Sequence, residues 1–159
     1  MMKRSMLLLL ALLLCLGACL LGCKEDEVVM GEFIPPAFDK DAVQGTPEVP
    51  DGLGWNELDV NGVYQVSVCG VVKPVEGKAD IYLTNPAKNN VWLKVRIMDA
   101  QGQTMYAETG LIKPGEYVQS ITFKVDPPAA GTAIIMRVMS YEPETYYSRG
   151  EAKLKTTIS

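Results

Sequence analysis

The stretch Val91-Trp92-Leu93-Lys94-Val95-Arg96-Ile97-Met98-Asp99 decides the fold of this chain. Its odd-numbered positions are apolar up to Ile97, whereas its even-numbered positions carry an indole, two basic groups and Met98. A period of two residues is typical of a strand with one buried and one solvent-facing side. The turn signal Asp99-Ala100-Gln101-Gly102 ends the pattern. We therefore predict a strand whose outer face shows Trp92 and Arg96.

Six further segments with strand character lie between Val60 and Ser159, each bounded by Gly, Pro or Asn turn residues. They are Val63–Val72, Ala79–Thr84, Gln103–Glu108, Glu116–Val125, Thr132–Tyr141 and Ser148–Ile158. No convincing amphipathic helix accompanies them. Closely spaced alternating strands separated by turns indicate two packed antiparallel sheets. We predict an all-β, seven-stranded antiparallel β-sandwich over residues 60–159.

The turn motifs of this segment resemble those of immunoglobulin-like and fibronectin type III-like domains of bacterial surface proteins. The resemblance rests on Thr84-Asn85-Pro86, on Asp99–Gly102 and on Leu111-Ile112-Lys113-Pro114-Gly115-Glu116. It implies an Ig-like β-sandwich. Two features depart from antibody-type domains: only Cys69 lies in the segment, so no disulfide can join the sheets, and Trp92 is on the outer side of its strand.

The N-terminus has the layout of a secretory signal peptide. Lys3 and Arg4 precede an uncharged run from Met6 to Cys23. A run of that length is also just long enough to span a bilayer, so an uncleaved anchor is the alternative. Positive charge before the apolar run keeps the extreme N-terminus inside and places the remaining chain outside the cytoplasm.

The end of this run, Leu20-Leu21-Gly22-Cys23, resembles the lipobox of bacterial lipoproteins. The resemblance implies a diacylglyceryl group on the Cys23 sulfur, further fatty-acyl modification such as palmitate, and removal of residues 1–22. It places the protein on the extracytoplasmic face of the cell membrane. Leu16-Gly17-Ala18-Cys19 is a second match, which makes Cys19 the less favoured site, and Cys15 is a weaker third. Cys23 is preferred because charged residues begin directly after it.

Residues 23–59 are predicted to be an acidic tether. From Lys24 to Asp59 there are ten acidic and two basic residues, and Pro and Gly interrupt any strand or helix period. Such a stretch is expected to be extended and mostly disordered. Two alternatives stay open within it. Phe33–Phe38 puts two aromatic residues around a Pro pair, as a docking peptide does, and Leu53–Leu58 could pack on the domain as a first strand or a cover.

Composition excludes several kinds of chemistry. The chain has no His, so Ser-His and Cys-His nucleophile pairs and histidine-based metal sites are excluded. No segment has calcium-ligand spacing or a phosphate-binding glycine pattern, so we expect no cofactor and no metal. Residues 60–159 carry eleven basic and nine acidic residues, too small an excess to suggest nucleic acid. Cys69 is expected to be a buried thiol, although Gln65 and Ser67 on its face leave exposure open.

Two surfaces are candidates for binding. The first is the outer face of the strands that begin at Val91, Thr132 and Ser148, which we expect to lie in one sheet and to present Trp92, Arg96, Arg137 and Met139. Trp, Arg and Met are typical of the centre of an interface. The alternative is that the Trp55 segment, or the stems of Lys and Arg, cover Trp92 within the monomer.

The second candidate is the loop Tyr141–Tyr147, which carries Tyr141, Tyr146 and Tyr147. Tyrosines on a loop provide rigid amphipathic contact area, as binding loops do. The structural alternative is a turn whose rings fold onto the edge of the sandwich. Glu142 and Glu144 are a weak candidate for a paired acid and base, because both lie on one short loop with no evident cleft.

These observations predict a non-catalytic function. We expect a membrane-anchored lipoprotein that displays an Ig-like module for an envelope or extracellular protein or another extracellular ligand, and that binds no nucleic acid. An extracellular protease inhibitor, a small hydrolase and a purely structural envelope protein are the alternatives.

Overall fold

A computed structural model of the chain describes residues 33–159. The strands with alternating apolar and polar residues form two antiparallel sheets in it. Residues Pro35–Ser159 form one compact unit. Its nine strands are β1 (Val43–Gln44), β2 (Trp55–Val60), β3 (Tyr64–Cys69), β4 (Lys78–Thr84), β5 (Trp92–Asp99), β6 (Met105–Glu108), β7 (Glu116–Thr122), β8 (Ala133–Tyr141) and β9 (Ser148–Thr157). Residues 33–159 contain no helix that could cross a membrane by length and hydropathy.

The sheets contain five and four strands. The first has the order β1-β7-β4-β3-β2 and the second the order β6-β5-β8-β9, with antiparallel pairing between all neighbours. The all-β, two-sheet prediction is therefore confirmed. The predicted count of seven strands is wrong, because β1 and β2 are added to the seven that the sequence indicates.

Both additional strands come from the stretch that the sequence predicts to be mostly disordered. β2 pairs along its whole length with β3, from Trp55↔Cys69 to Val60↔Tyr64, and buries one side of Leu58 and Val60 against the core. β1 is a two-residue strand on the edge of β7. β1 is ordered by pairing with the distant β7, whereas β2 forms a hairpin with the next strand, β3, across the turn Asn61-Gly62-Val63.

The inner faces of the two sheets meet in one apolar core. On β5 the side chains of Leu93, Val95 and Ile97 are fully buried, as their alternation predicts. Burying one such side chain contributes about 1.5–3 kcal/mol to stability. Other fully or almost fully buried members of the core are Val66, Val68, Ile81, Leu83, Ile134, Met136 and Val138.

A strap formed by residues 37–45 closes one side of the sandwich. The amide of Leu111 donates to the carbonyl of Ala37 (2.9 Å), and the amide of Asp39 donates to the carbonyl of Leu111 (2.8 Å). Gly110 lies directly beneath the strap, where a Cβ atom would overlap the backbone of Phe38 and Asp39. The strap contacts both sheets, because β1 pairs with β7 of the five-stranded sheet and Phe38 contacts Trp92 of β5 in the four-stranded sheet.

Candidate functional site

The outer face of the four-stranded sheet brings the predicted binding residues together. The strands predicted at Val91, Thr132 and Ser148 are β5, β8 and β9, and they are neighbours in this sheet, as expected. Trp92 is directly opposite Tyr141, and Arg96 is opposite Arg137. Lys153 of β9 continues the row beyond Arg137. Because side chains on one face of a sheet repeat every two residues, these residues form one continuous surface.

This surface has a large excess of positive charge. We call it the cationic face. Its basic residues, on the face or at its margin, are Lys94, Arg96, Lys124, Arg137, Arg149, Lys153 and Lys155, and its acidic residues are Glu108, Glu142 and Glu151.

Glu108 on β6 neutralises one group of these cations. Its Oε2 accepts from Lys94 Nζ (2.9 Å) and Arg96 Nε (3.0 Å), and its Oε1 accepts from Lys124 Nζ (2.5 Å). Burial raises the pKa of Glu108, but the hydrogen bonds from Lys124, Lys94 and Arg96 outweigh burial and lower that pKa to about 2. The Lys94 side chain is only 10% exposed, so its charge is held in place by Glu108.

Glu151 on β9 neutralises the second group. It accepts from Arg137 through Nη2 (2.5 Å) and Nε (3.0 Å), and from Lys153 Nζ (2.9 Å). Hydrogen bonds from Arg137 and then Lys153 lower the pKa of the Glu151 carboxyl group. Five cationic groups therefore share two carboxylates across the centre of the face. Directly opposed cations on neighbouring strands repel one another, so these carboxylates stabilise the row, although they cannot neutralise it.

Met139 occupies a gap in the face and is not an exposed contact residue. It is opposite Lys94 on β5 and Glu151 on β9, and only 8% of its surface is accessible. The hydroxyl of Tyr141 approaches its sulfur at 3.7 Å. A flexible thioether of this kind fills irregular space between longer side chains. Any role of Met139 in binding is therefore to support its neighbours.

Trp92 lies at one end of the face, between two other rings. The Phe38 ring meets it edge-on at a centroid distance of 4.8 Å, and the Tyr146 ring does so at 5.2 Å. Lys113 Nζ lies 4.7 Å from the centre of the Phe38 ring. The expectation that the Trp55 segment covers Trp92 is wrong, because Trp55 pairs with Cys69 in the other sheet. The cover comes instead from the strap, within the stretch that the sequence singles out as a docking peptide.

The loop between β8 and β9 is a hairpin held by internal hydrogen bonds. The amide of Glu142 donates to the carbonyl of Tyr147 (2.8 Å), and the amide of Tyr146 donates to the carbonyl of Glu142 (3.0 Å). Glu142 also accepts from the Thr145 hydroxyl (2.7 Å) and lies 3.8 Å from Arg149. Tyr146 turns onto Trp92, whereas Tyr147 remains 72% exposed. The loop thus offers one ordered tyrosine to a partner beside the cationic face.

The remaining candidate groups are poorly suited to catalysis or metal binding. Cys69 is fully buried, and burial raises its pKa to about 11, so its thiol stays protonated at neutral pH. Among residues 33–159, no three acidic or cysteine side chains gather as metal ligands would. A groove of about 690 Å³ follows the loop before β2, and its apolar lining includes Pro47, Leu53 and Trp55.

Comparisons with known proteins give no relative for this chain. No protein-family model matches it, and no curated protein or solved structure is significantly similar to it. The structure therefore shows a two-sheet antiparallel β-sandwich, and the comparisons place the chain in no family. The predicted lipidation sites Cys23 and Cys19 lie outside the described residues 33–159.

Sequence reasoning missed the residues that join the face to its surroundings. Glu108 lies on β6 and Lys124 lies just after the end of β7, away from the strands of the predicted residues, and the two meet only through the fold. Phe38 lies far from Trp92 along the chain. The only signal in the sequence was the pair of aromatic residues around Pro35-Pro36. This pair marks an apolar segment but does not indicate which part of the chain the segment packs against.

Proposed function

We propose that this chain is an exported lipoprotein, held on the extracytoplasmic face of the cell membrane through lipid on Cys23, that displays a non-catalytic binding module. The lipobox-like sequence Leu20–Cys23, preceded by a basic and an apolar region, supports the anchor. The two-sheet sandwich supports an Ig-like module, since domains of that architecture present ligands with one sheet face or one cluster of loops.

The observation that carries the proposal is the row Arg96, Arg137 and Lys153 on an exposed sheet face. Guanidinium groups and aromatic rings are enriched in the energetic centres of interfaces, because both bury large rigid surfaces at low entropic cost. Trp92 and the exposed Tyr147 flank this row. A partner could therefore contact charge and aromatic surface at once, either a protein of the envelope or another extracellular ligand.

A non-catalytic role agrees with the chemistry of the described residues. The only thiol between residues 33 and 159 is protonated and buried, and the chain has no imidazole. The Glu142 carboxylate is held by Thr145 and faces Arg149, which favours a structural role in the hairpin. These groups provide neither an activated nucleophile nor a matched acid and base.

The length of chain after the anchor limits how far the module stands from the membrane. Only Lys24–Ile34 separates Cys23 from the compact unit that begins at Pro35. Twelve steps along a polypeptide span at most about 43 Å, whatever their conformation. On this proposal the connection from Cys23 to the compact unit has about a third as many residues as a tether reaching to residue 59, which limits how far the module can stand from lipid.

Anchoring is tested by replacing single cysteines in the full-length chain. We expect Cys23→Ser to abolish incorporation of a labelled fatty acid and to leave the unprocessed precursor, whereas the matched variant Cys19→Ser keeps both labelling and processing. Loss of labelling in the Cys19 variant alone would move the anchor to that residue. If the wild-type chain itself incorporates no labelled fatty acid, the lipoprotein proposal is refuted.

Binding is tested by affinity capture with the compact unit Pro35–Ser159 as bait. The face variant carries Arg137→Glu with Lys153→Glu, the loop variant carries Tyr147→Ala, and the matched control carries Lys73→Glu with Lys88→Glu at exposed positions elsewhere. We expect a partner that the wild type and the control retain and that the face or loop variant loses. Identical capture by all four baits contradicts the assignment of the site.

A further inference from the structure

Charge is distributed very unevenly over the compact unit Pro35–Ser159. The unit has twelve basic and fifteen acidic residues, so its net charge is −3. The cationic face and its margin account for seven of the basic and three of the acidic residues, a net charge of +4. The five basic and twelve acidic residues elsewhere give −7. The positive charge of the unit is therefore concentrated on one face, and an anionic surface would attract the unit chiefly through this face.

The cationic face keeps its surplus charge after its own ion pairs have formed. Glu108 and Glu151 engage five cations between them, and Glu142 approaches Arg149. Lys153 and Lys155 lie on β9, the outermost strand of the sheet, and both are exposed. Basic groups fixed on a flat sheet can approach a planar array of phosphates together, without the entropy cost of ordering a loop.

The chain reaches the compact unit at this same face. Phe38 packs on Trp92, at one end of β5, and Lys113 lies against the Phe38 ring. The connection back to Cys23 can extend no further than about 43 Å from Pro35. Lipid on Cys23 would therefore keep this end of the cationic face within reach of the bilayer. The exposed ring of Tyr147 beside the face is of the kind that favours the boundary between head groups and water.

We infer that the cationic face docks on the anionic phospholipid head groups of the membrane that holds the anchor. The inference rests on the proposed function, because lipid on Cys23 brings the face to the bilayer. It identifies the ligand of the face as lipid phosphate and leaves the opposite, five-stranded sheet toward the surroundings. One lipid anchor combined with a basic surface gives more durable attachment than either alone.

The test measures co-sedimentation of the unlipidated chain Lys24–Ser159 with lipid vesicles. This chain lacks the apolar N-terminal run and keeps the whole compact unit. We expect it to bind vesicles of phosphatidylcholine mixed with phosphatidylglycerol, and not vesicles of phosphatidylcholine alone. Binding should disappear between about 0.01 M and 1 M salt, as the screening length falls from about 30 Å to about 3 Å.

The decisive comparison is between two variants that lose the same charge. Lys153→Gln with Lys155→Gln removes two exposed cations of the face, and Lys73→Gln with Lys88→Gln removes two exposed cations elsewhere. Each cation near an anionic membrane is worth about a fivefold change in partitioning, so the face variant should bind roughly 25-fold more weakly. The control variant should retain at least half of the wild-type binding. Circular dichroism should first show that both variants are folded.

Three results would overturn the inference: no binding to anionic vesicles, equal binding to neutral vesicles, or equal losses in the two variants. Because the tested chain has no lipid, such a failure leaves the labelling experiment on Cys23 intact. If the face variant loses a captured protein but vesicles are not bound, the face serves a protein partner and the membrane is excluded.

Discussion

Asn89 pairs its side-chain amide with the backbone of Gln65 in both directions. Its Nδ2 donates to the Gln65 carbonyl (2.5 Å), and its Oδ1 accepts from the Gln65 amide (2.9 Å). Nδ2 also donates to Oδ1 of the fully buried Asn85 (2.7 Å). β3 and β4 share only one paired position, Ser67↔Thr84. The Asn89 amide therefore satisfies backbone groups of β3 that a regular strand neighbour would otherwise bond.

Asn89→Ala is expected to lower the free energy of unfolding by about 1–3 kcal/mol, because it leaves partly buried polar groups without a partner. Urea denaturation followed by far-ultraviolet circular dichroism measures the loss. The matched control is Asn90→Ala at the next, exposed position, which should change stability by less than about 0.5 kcal/mol. Equal losses in the two variants would show that the amide pairing contributes nothing specific.

Gly110→Ala is expected to displace the strap. The added methyl group would overlap the backbone of Phe38 and Asp39, which cannot move without disturbing the hydrogen bonds that Ala37 and Asp39 make with Leu111. We expect a loss of about 1–3 kcal/mol and increased solvent exposure of Trp92, seen as a red shift of tryptophan fluorescence.

Gly102→Ala separates this steric effect from the general cost of replacing a glycine. Gly102 has a φ of 72° and no neighbour within 4 Å of an added Cβ atom, so the change strains the turn by about 1 kcal/mol without touching the strap. Its fluorescence spectrum should match that of the wild type. A red shift in this variant, or none in Gly110→Ala, would contradict the role assigned to Gly110.

Glu108 should make the stability of the sandwich depend on acidic pH. Its folded-state pKa of about 2 lies below the ordinary value of 4.5, so the ionised form stabilises the fold above about pH 4.5. That contribution, at most about 3 kcal/mol, is lost as the pH falls from 4.5 toward 2. Glu108→Gln should therefore be less stable than wild type at pH 7 and should approach it at pH 2.

The matched control for this experiment is Glu48→Gln, at an exposed position in the loop before β2. Its urea denaturation curve should follow that of the wild type at both pH values. If Glu108→Gln retained the full loss of stability between pH 4.5 and pH 2, the acid dependence would belong to other carboxylates, such as Glu151.

Cys69 should not react in the folded protein. Its thiol is fully buried and has a pKa raised to about 11, and only thiolate reacts rapidly with maleimide. In the chain Lys24–Ser159, whose only thiol is Cys69, we expect labelling by mass spectrometry to require denaturant. A variant with Asn90→Cys should gain one label without denaturant. Rapid native labelling of Cys69 would place it at the surface.

The sequence predicted the parts of the fold that a local pattern encodes. All seven strands expected between Val60 and Ser159 are present, since alternation and turn residues act over a few neighbours. β1 escaped prediction because two residues carry no period. β2 realises the alternative that Leu53–Leu58 packs on the domain as a first strand, although the predicted count of seven strands did not include it.

The site was predictable only where one strand determines it. Alternation correctly put Arg96 and Arg137 on outer faces, and the structure adds that they are direct neighbours. The cover of Trp92 by Phe38 and the gathering of three cations by Glu108 depend on contacts between distant parts of the chain. Such contacts are set by strand order and register, which a single sequence leaves open.

The position of β9 has a consequence for two copies of the chain that meet. β9 is the outermost strand of its sheet and ten residues long, and strands of that kind tend to pair with the same strand of another molecule. Two antiparallel copies of β9 would set Lys153 and Lys155 of one molecule against the same residues of the other. Mutual repulsion would oppose that pairing, so the basic residues of the cationic face also act as gatekeepers against edge-to-edge aggregation.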